Sequence, residues 1–505
     1  MTTKDFIVSI LISLGLFLIL LSWPSYNYSF DSVAFMIHHN LSYQKDAIYF
    51  EHLHHPLKDI IGSLILFLFR EMGYYGELIT IYQLFISFIS CITLALFYLL
   101  VRNYGYNLID SLISTLFILC SYSYFYFSTQ YEIYIPAILS QVLFFRAILS
   151  KNTIFIILTG MLLPLVHQTQ LIILVVSIVS GMLYKEKYYQ AIFISLLVYS
   201  LIITGIIFYV QENIRIKVLL GHLQASDSLY QISLINISNG IKSLGKIFIY
   251  NSNYQIITGL IVLLFIVWIY IYKEEVNRKL FRLIVVLYLV FLFIWDRGGS
   301  EIWVLLLPIL AINLKSVIIN RGIRYIIVTF IIIFGMINIK YGIIPDSIKA
   351  NNKALLQSEA INKKIDSESL ILLSGLNFDE YNIGKVYIPY FSKRKILILD
   401  WVIENNLWKE VLDRYEYLYI PEYIYSNMER YSSIIENRHF LSKSTIYKTL
   451  QRYKPIERVD CAGLILYKCK REYTAPLIRM VRSKCAENLL KNVSTNGEHY
   501  KRMYD

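Results

Sequence analysis

ELITIYQLFISFISCITLALFYLLV, residues 77–101, carries no charged side chain after Glu77. As a helix rising about 1.5 Å per residue, this run is long enough to cross the roughly 30 Å hydrocarbon core of a bilayer. Comparable runs recur near residues 6–21, 107–125, 133–149, 153–168, 170–184, 190–210, 254–272, 279–295, 301–316 and 325–341, which makes eleven. The chain has 505 residues, 56% of them hydrophobic and 17% charged, with a mean hydropathy of +0.52. That is more apolar surface than a soluble core of this size buries, so lipid is the expected solvent. Past about residue 341 charge, Asn and Ser become frequent. The expected fold is an α-helical polytopic membrane protein with about eleven transmembrane helices and a C-terminal extracytoplasmic α/β domain.

The sidedness follows from charge and parity. Lys4 precedes the first apolar run, but no small-x-small cleavage site follows before Trp23-Pro24, so the run reads as a retained span. With a cytoplasmic N-terminus, the inner loops carry Lys4, Arg102, Lys151, Lys185, Lys187, Lys273, Arg278, Lys279, Lys315, Arg321 and Arg324, the bias the positive-inside rule describes. An odd number of spans then puts everything after Tyr341 outside the cytoplasm, in a multi-pass protein of the cell (inner or plasma) membrane. The net charge of +12 is absorbed by these loops, and nucleic-acid binding is not expected. The domains are a membrane domain over 1–341 with a first outer loop at 23–76, a soluble α/β domain over 342–470, and a basic tail over 471–505. Within the outer loop, Leu57–Phe69 is too short to span and reads as an interfacial helix begun by Pro56, with Lys58, Asp59, Arg70 and Glu71 suited to the membrane surface. The runs at 153–168 and 170–184 are separated only at His167-Gln168-Thr169, as a tight hairpin or one broken element.

In the C-terminal part, strand-like runs at Ser369–Gly375, Lys385–Tyr390, Lys395–Leu399, Tyr415–Ile420 and Gly463–Tyr467 alternate with helical stretches at Leu407–Arg414 and Met428–Arg438. There is no GxGxxG, GxxxxGK[ST] or CxxC motif and no internal repeat, so neither nucleotide binding nor a zinc module is supported. Cys461 and Cys469 pair only if a turn brings them together. Ala475–Lys491, in the tail, reads either as an amphipathic helix on anionic lipid or as a solvated segment.

Under this topology the unusual polar residues fall on one side of the membrane: Asp31, the histidines up to His55, Glu132, His167, Asp296 and Glu301. Asp31, in Ser29-Phe30-Asp31-Ser32, is placed to act as a general base toward an acceptor hydroxyl, and also reads as a helix N-cap. Glu51, His52 and His54 offer ligands for a divalent metal, yet His-x-His-His lacks the spacing of a zinc signature. The favoured reading is that His54 and His55 donate hydrogen bonds to a phosphate. Glu132 and Tyr134 sit at the mouth of a span among aromatics that suit a sugar face. In the turn Asp296 to Glu301, Arg297 is a candidate phosphate clamp, with Glu301 and Trp303 facing the same cavity.

Five motifs recur in order: Asp31 shortly after the first span, His55-Pro56-Leu57 opening a surface helix, Glu132-x-Tyr134-x-Pro136 opening a later span, His167-Gln168-Thr169 between two short spans, and Glu301-x-Trp303 leading into a Leu-Pro span at Pro308. In order and placement this series resembles the polytopic, lipid-phosphosugar-dependent glycosyltransferases, the superfamily that includes protein O-mannosyltransferases and the aminoarabinose transferases of lipid A. The resemblance covers residues 1–341. It implies inverting transfer of a sugar from a polyprenyl phosphate to a lipid, glycan or protein acceptor on the outer face, with the first-loop Asp31 near the acceptor and basic residues on the phosphate. Many members carry paired acidic residues in that loop, whereas Asp31 is followed by Ser32. A chain without a nucleotide-binding loop needs a donor already flipped on a lipid carrier, which agrees. A flippase for lipid-linked glycans and an outer-face polysaccharide polymerase are the alternatives. A transporter is expected to show ionisable residues near the bilayer midplane and two related halves. A polymerase is expected to show a large loop between spans.

Overall fold

A computed structural model describes residues 2–44, 55–210, 234–271, 279–295, 301–316, 318, 321–373, 386–398, 415, 417–425 and 452–471. Its principal helices are α1 (Thr3–Ser22), α2 (Phe30–Gln44), α3 (Pro56–Glu71), α4 (Leu78–Asn103), α5 (Leu108–Leu119), α6 (Tyr122–Ser128), α7 (Tyr134–Ser150), α8 (Thr153–Val166), α9 (Leu171–Leu183), α10 (Tyr188–Val210), α11 (Leu234–Phe248), α12 (Ser252–Ile271), α13 (Lys279–Trp295), α14 (Leu307–Asn313), α15 (Arg321–Asn338) and α16 (Lys353–Lys364). The strands are β1 (Leu370–Leu373), β2 (Lys395–Ile398), β3 (Tyr417–Pro421), β4 (Tyr453–Cys461) and β5 (Leu464–Arg471). The chain forms two compact units, one of residues 1–25 and 50–347, the other of residues 26–49 and 348–505. The second is discontinuous: the segment bearing α2 and Asp31 groups with the C-terminal residues.

Among the described residues of the first unit, four helices are long and apolar enough to cross a bilayer alone: α1, α4, α10, and α15 with its continuation to Asp346. The number rises to six if α5 with α6, bent by 68°, and α11 with α12, bent by 98°, each form one span. The runs at 133–149, 153–168, 170–184, 279–295 and 301–316 become shorter apolar helices. Helices of 13 to 17 residues reach about 20–25 Å, less than the hydrocarbon core. Hydropathy measures apolarity and not how far a run stays helical, so these runs have the composition of a span and a shorter helix. The break after α8 is a 3-10 turn at Gln168–Gln170, and α8 and α9 both pack on α10 more extensively than on each other.

Breaks in apolar helices free backbone groups that need partners when water is absent. One side chain serves both bends. The Asn338 amide, 2% exposed, donates to the Cys120 carbonyl at 2.9 Å and the Phe248 carbonyl at 2.6 Å, and accepts from the Tyr250 N–H at 3.0 Å. Between α11 and α12 the backbones approach so closely that a Cβ on Gly245 lies 1.7 Å from the Gln255 carbonyl oxygen.

Two ion pairs tie helix ends together. Asp5 caps the start of α1 through a reciprocal box with Thr2 and binds Arg102, at the end of α4, at 2.7 Å. Asp110, at the start of α5, binds Arg324 at 3.0 Å. The other ends of α1 and α4 are joined by Gln83, which donates to the carbonyls of Ser25 at 2.8 Å and Thr129 at 3.0 Å.

The second unit is a five-stranded sheet in the order β2-β1-β3-β5-β4. β2, β1 and β3 are parallel; β3, β5 and β4 are antiparallel. β1, Leu-Ile-Leu-Leu, is buried at every position, as a strand covered on both faces must be. Ile361, on α16, and Ile365, just after it, close its core. The expected strand at 385–390 is instead a helical turn, Ile388–Phe391, because Pro389 lacks an N–H for a ladder and fits the first positions of a helix. β4 was not anticipated: Pro455 interrupts its pattern, which an edge strand tolerates through the bulge between Pro455 and Glu457. Cys461 lies opposite Leu464 and Cys469 opposite Pro455, so the two thiols do not pair, and both are free. Burial pushes the Cys469 thiol up to about 12. A hydrogen bond from Lys395 holds the Glu368 carboxyl below its ordinary value. The expected helices at 407–414 and 428–438 and the tail helix at 475–491 lie outside the described residues.

Candidate functional site

Pro56 occupies the first position of α3 and His55 precedes it. This places Lys58 in the first turn of a 16-residue helix, where the helix dipole favours an anion. α7 starts at Tyr134, just after Glu132. The two helix N-termini converge on a cavity of about 170 Å³ whose walls include Leu57, Ile61, Phe85, Leu139 and Val166, with Lys58, Tyr131 and Glu132 also lining it. Lys58 Nζ stands 3.7 Å from Glu132 Oε2, with side chains 3% and 4% exposed. That separation is an ion pair without a hydrogen bond. Tyr131 holds the lysine in place. Its ring lies 5.2 Å from Nζ, its hydroxyl donates to the Lys58 carbonyl at 3.4 Å, and it packs on Tyr82 at 4.3 Å. Tyr82 in turn donates to the Gly62 carbonyl at 2.7 Å.

Beside this pair lies an aromatic and imidazole cluster. His55 stacks on His167 at 5.6 Å, and Tyr134 packs on His167 at 5.7 Å. The Tyr134 hydroxyl donates to Glu301 Oε2 at 3.2 Å. His167 Nδ1 and the Thr169 hydroxyl are 2.7 Å apart, which fixes the ring at the break between α8 and α9. Five residues singled out in the sequence, His55, Glu132, Tyr134, His167 and Glu301, therefore share one region, though 77 residues separate the first two and 134 the last two.

Some expectations change. Lys58 and Asp59, read as surface residues, are 5% and 0% exposed, because α3 turns the face bearing them into the protein and leaves Leu64, Phe67 and Leu68 exposed. Sequence reasoning missed Lys58 as a site residue; its position three after His55 and in a first helical turn was the available signal. Trp303 is fully buried and packs edge-on against Phe293 at 5.1 Å, and it does not line the cavity. Asp31 lies in the first turn of α2, in the second unit. The cap of that helix is Ser29, whose Oγ accepts from the Ser32 N–H at 3.1 Å. The second unit ties the segment before α2 through Asn352, which donates to the Tyr26 carbonyl, and Tyr387, which donates to the Tyr28 carbonyl at 3.0 Å. Glu51, His52, His54, Asp296 and Arg297 lie outside the described residues. Among the described residues no group of three His, Cys, Asp or Glu side chains is arranged to hold a metal.

Comparison with models of known protein families and with curated proteins finds no match.

Proposed function

We propose that the chain is a membrane glycosyltransferase that moves a sugar, with inversion, from a polyprenyl-phosphate carrier to a lipid, glycan or protein acceptor on the outer face of the membrane. In this reading the chain crosses the membrane about eleven times, with the N-terminus cytoplasmic and the C-terminal domain extracytoplasmic. The observation that carries the proposal is the cavity at Lys58: apolar walls, one buried cation and two helix N-termini. An apolar chain ending in a phosphate has the two chemistries this cavity offers. The walls accept isoprenoid, and the ammonium and the two helix dipoles attract the phosphate.

As the glycosidic bond to phosphate breaks, negative charge grows on the leaving oxygen. Lys58 stabilises that charge in a site shielded from water, where a fixed cation acts most strongly. His55 and His167 supply further hydrogen-bond donors, and Glu132, Tyr134 and Glu301 supply polar groups for sugar hydroxyls. Asp31 takes the proton of the attacking acceptor hydroxyl. The test is transfer of radiolabelled sugar from polyprenyl phosphate to a membrane-extract acceptor by protein reconstituted in lipid, with Asp31→Asn and Lys58→Met as comparisons. Transfer by the wild type that both substitutions abolish supports the reading. No transfer from any donor by folded protein removes it in favour of a flippase or polymerase.

A further inference from the structure

We infer that the end of the first unit where α11 meets α12 docks on an anionic lipid surface, with Lys242, Lys246 and Lys340 on lipid phosphates and Tyr250, Tyr254 and Tyr341 among the headgroups. The contact goes beyond sugar transfer and requires neither donor nor acceptor.

The residues of α11, Leu-Ile-Asn-Ile-Ser-Asn-Gly-Ile-Lys-Ser-Leu-Gly-Lys-Ile-Phe, divide into two faces. Leu244, Ile247 and Phe248 are fully buried. Lys242 and Lys246, one turn apart and so on one face, are exposed. The buried face is fixed from several sides. A Cβ on Gly240 comes within 2.5 Å of the Phe293 ring, and one on Gly259 lies 2.0 Å from the Ile241 carbonyl oxygen. The Ser123 hydroxyl donates to the Lys246 carbonyl at 3.4 Å. α11 is therefore held in one position with its two lysines outward.

α12 identifies what lies outside. Its 20 residues reach about 30 Å, the thickness of the hydrocarbon core, and its Ile257, Leu260 and Leu264 are exposed, as side chains of a span that face lipid are. α11 turns from it by 98°, so a helix that crosses the bilayer has beside it one that runs along the bilayer surface. Aromatic residues mark the level. Tyr250, in the turn between the two helices, and Tyr254, in the first turn of α12, are exposed, and so is Trp268 near the far end of α12. A spanning helix with a ring at each interface has this distribution.

Lys340 joins from a third element. Asn338 binds the Phe248 carbonyl and the Tyr250 N–H, and a Cβ on Gly342 lies 3.4 Å from that of Tyr250, so the turn Ile339–Ile343 sits against the turn between α11 and α12. There Lys340 is exposed, its ammonium 5.0 Å from the centre of the Tyr341 ring. Lys246, in the last turn of α11, also suits the helix dipole; that reason does not extend to Lys242, a turn earlier. Across α11, α12 and residues 338–347 the one acidic residue is Asp346. Three ammonium groups against one carboxylate make a cationic rim at the level of the headgroups, and each lysine near an anionic membrane surface adds to the attraction.

The measurement is the melting midpoint of full-length protein in nanodiscs of phosphatidylcholine and of phosphatidylcholine mixed with phosphatidylglycerol. It compares the wild type, the triple variant Lys242→Gln, Lys246→Gln, Lys340→Gln, and the triple variant with arginine at the same positions. The wild type is expected to melt higher in the mixed discs. The glutamine variant loses most of that gain while matching the wild type in phosphatidylcholine alone, and the arginine variant keeps it. Added salt shrinks the wild-type gain, because exposed charges are screened. No gain in the wild type, or an equal gain in the glutamine variant, overturns the docking surface. Inorganic phosphate that reproduces the gain in phosphatidylcholine discs also overturns it, by showing a site for a free anion. If the triple glutamine variant does not fold, Lys242→Gln alone is read in the same discs: loss of part of the gain supports the surface, and an undiminished gain overturns it.

Discussion

Two ion pairs in the membrane unit differ in a way that separates structure from site. Asp5 and Arg102 meet at 2.7 Å; Asp5 is also bound by Thr2 and Arg102 also donates to the Tyr106 carbonyl. Lys58 and Glu132 meet at 3.7 Å beside a cavity. At the first pair the groups are saturated by hydrogen bonds within the protein, and they join the ends of two helices. At the second, both side chains are buried and belong to residues that line the cavity. The lesson is that burial of a charge pair alone says little about its role; what distinguishes the second pair is its place in the lining of a cavity.

The largest expected effect breaks the comparison at its loose end. Lys58→Met lowers sugar transfer by about 100-fold or more, the scale of losing one preorganised donor to a developing charge. Combining it with Glu132→Gln removes the charge left opposite the lost ammonium, raises thermal stability above that of Lys58→Met and leaves transfer lost, as read from the radiolabel assay with parallel melting curves. If the double variant regains transfer, the pair belongs with Asp5–Arg102 as structure.

Asn338→Leu tests saturation elsewhere in the unit. It strips partners from one buried carbonyl and from a part-buried carbonyl and N–H at the two helix bends, and lowers stability by about 3 kcal/mol, since an orphaned buried group costs about 1–3 kcal/mol and the part-buried ones less. Thermal unfolding in detergent reads the change. Asp5→Asn sharpens the comparison from its saturated end: the melting midpoint falls by less than in Asn338→Leu, while the affinity for polyprenyl phosphate stays at the wild-type value.

The smallest effect lies in the second unit, where Cys469 is buried with its thiol pushed up to about 12 from an ordinary value of 9.0. The sign follows from linkage. Below pH 9 the thiol is neutral in both folded and unfolded states and contributes no pH dependence. Between about pH 9 and 12 the unfolded chain loses the proton first, so stability falls as pH rises. Cys469→Ala flattens that slope in urea titrations at pH 8, 9 and 10. Intact protein also reacts slowly with iodoacetamide at this position until it is unfolded.

Much of this was legible before any coordinates. The apolar runs became helices at nearly their expected positions, since periodicity and the absence of charge are local properties of 13 to 26 residues. Pro56 opened α3 because its fixed φ and missing N–H suit a first helical position. His55, Glu132, Tyr134, His167 and Glu301 stood out because polar residues beside long apolar runs need a reason. Lys58 did not stand out, because a lysine near a predicted interface has an ordinary explanation in water, and only packing shows which face of a helix is covered. The strand at 453–461 was hidden for a related reason: Pro455 forbids a central strand, and its place at a sheet edge is a fact of topology.

By itself, then, the sequence determined the apolar helical character of residues 1–341 and the change to a mixed α/β pattern beyond them. It also singled out the polar residues that stand at helix starts and breaks. Those are written in composition and short-range spacing, where each residue's solvent preference acts on its own neighbours. The tertiary structure alone decided that Lys58 and Glu132 face each other in a cavity and that His55 stacks on His167 across 112 positions. It likewise decided that Asn338 serves two bends at once and that the segment bearing Asp31 groups with the C-terminal residues. Such pairings depend on how whole helices and strands pack, and packing is chosen by the summed burial of many side chains, which no single stretch of sequence contains.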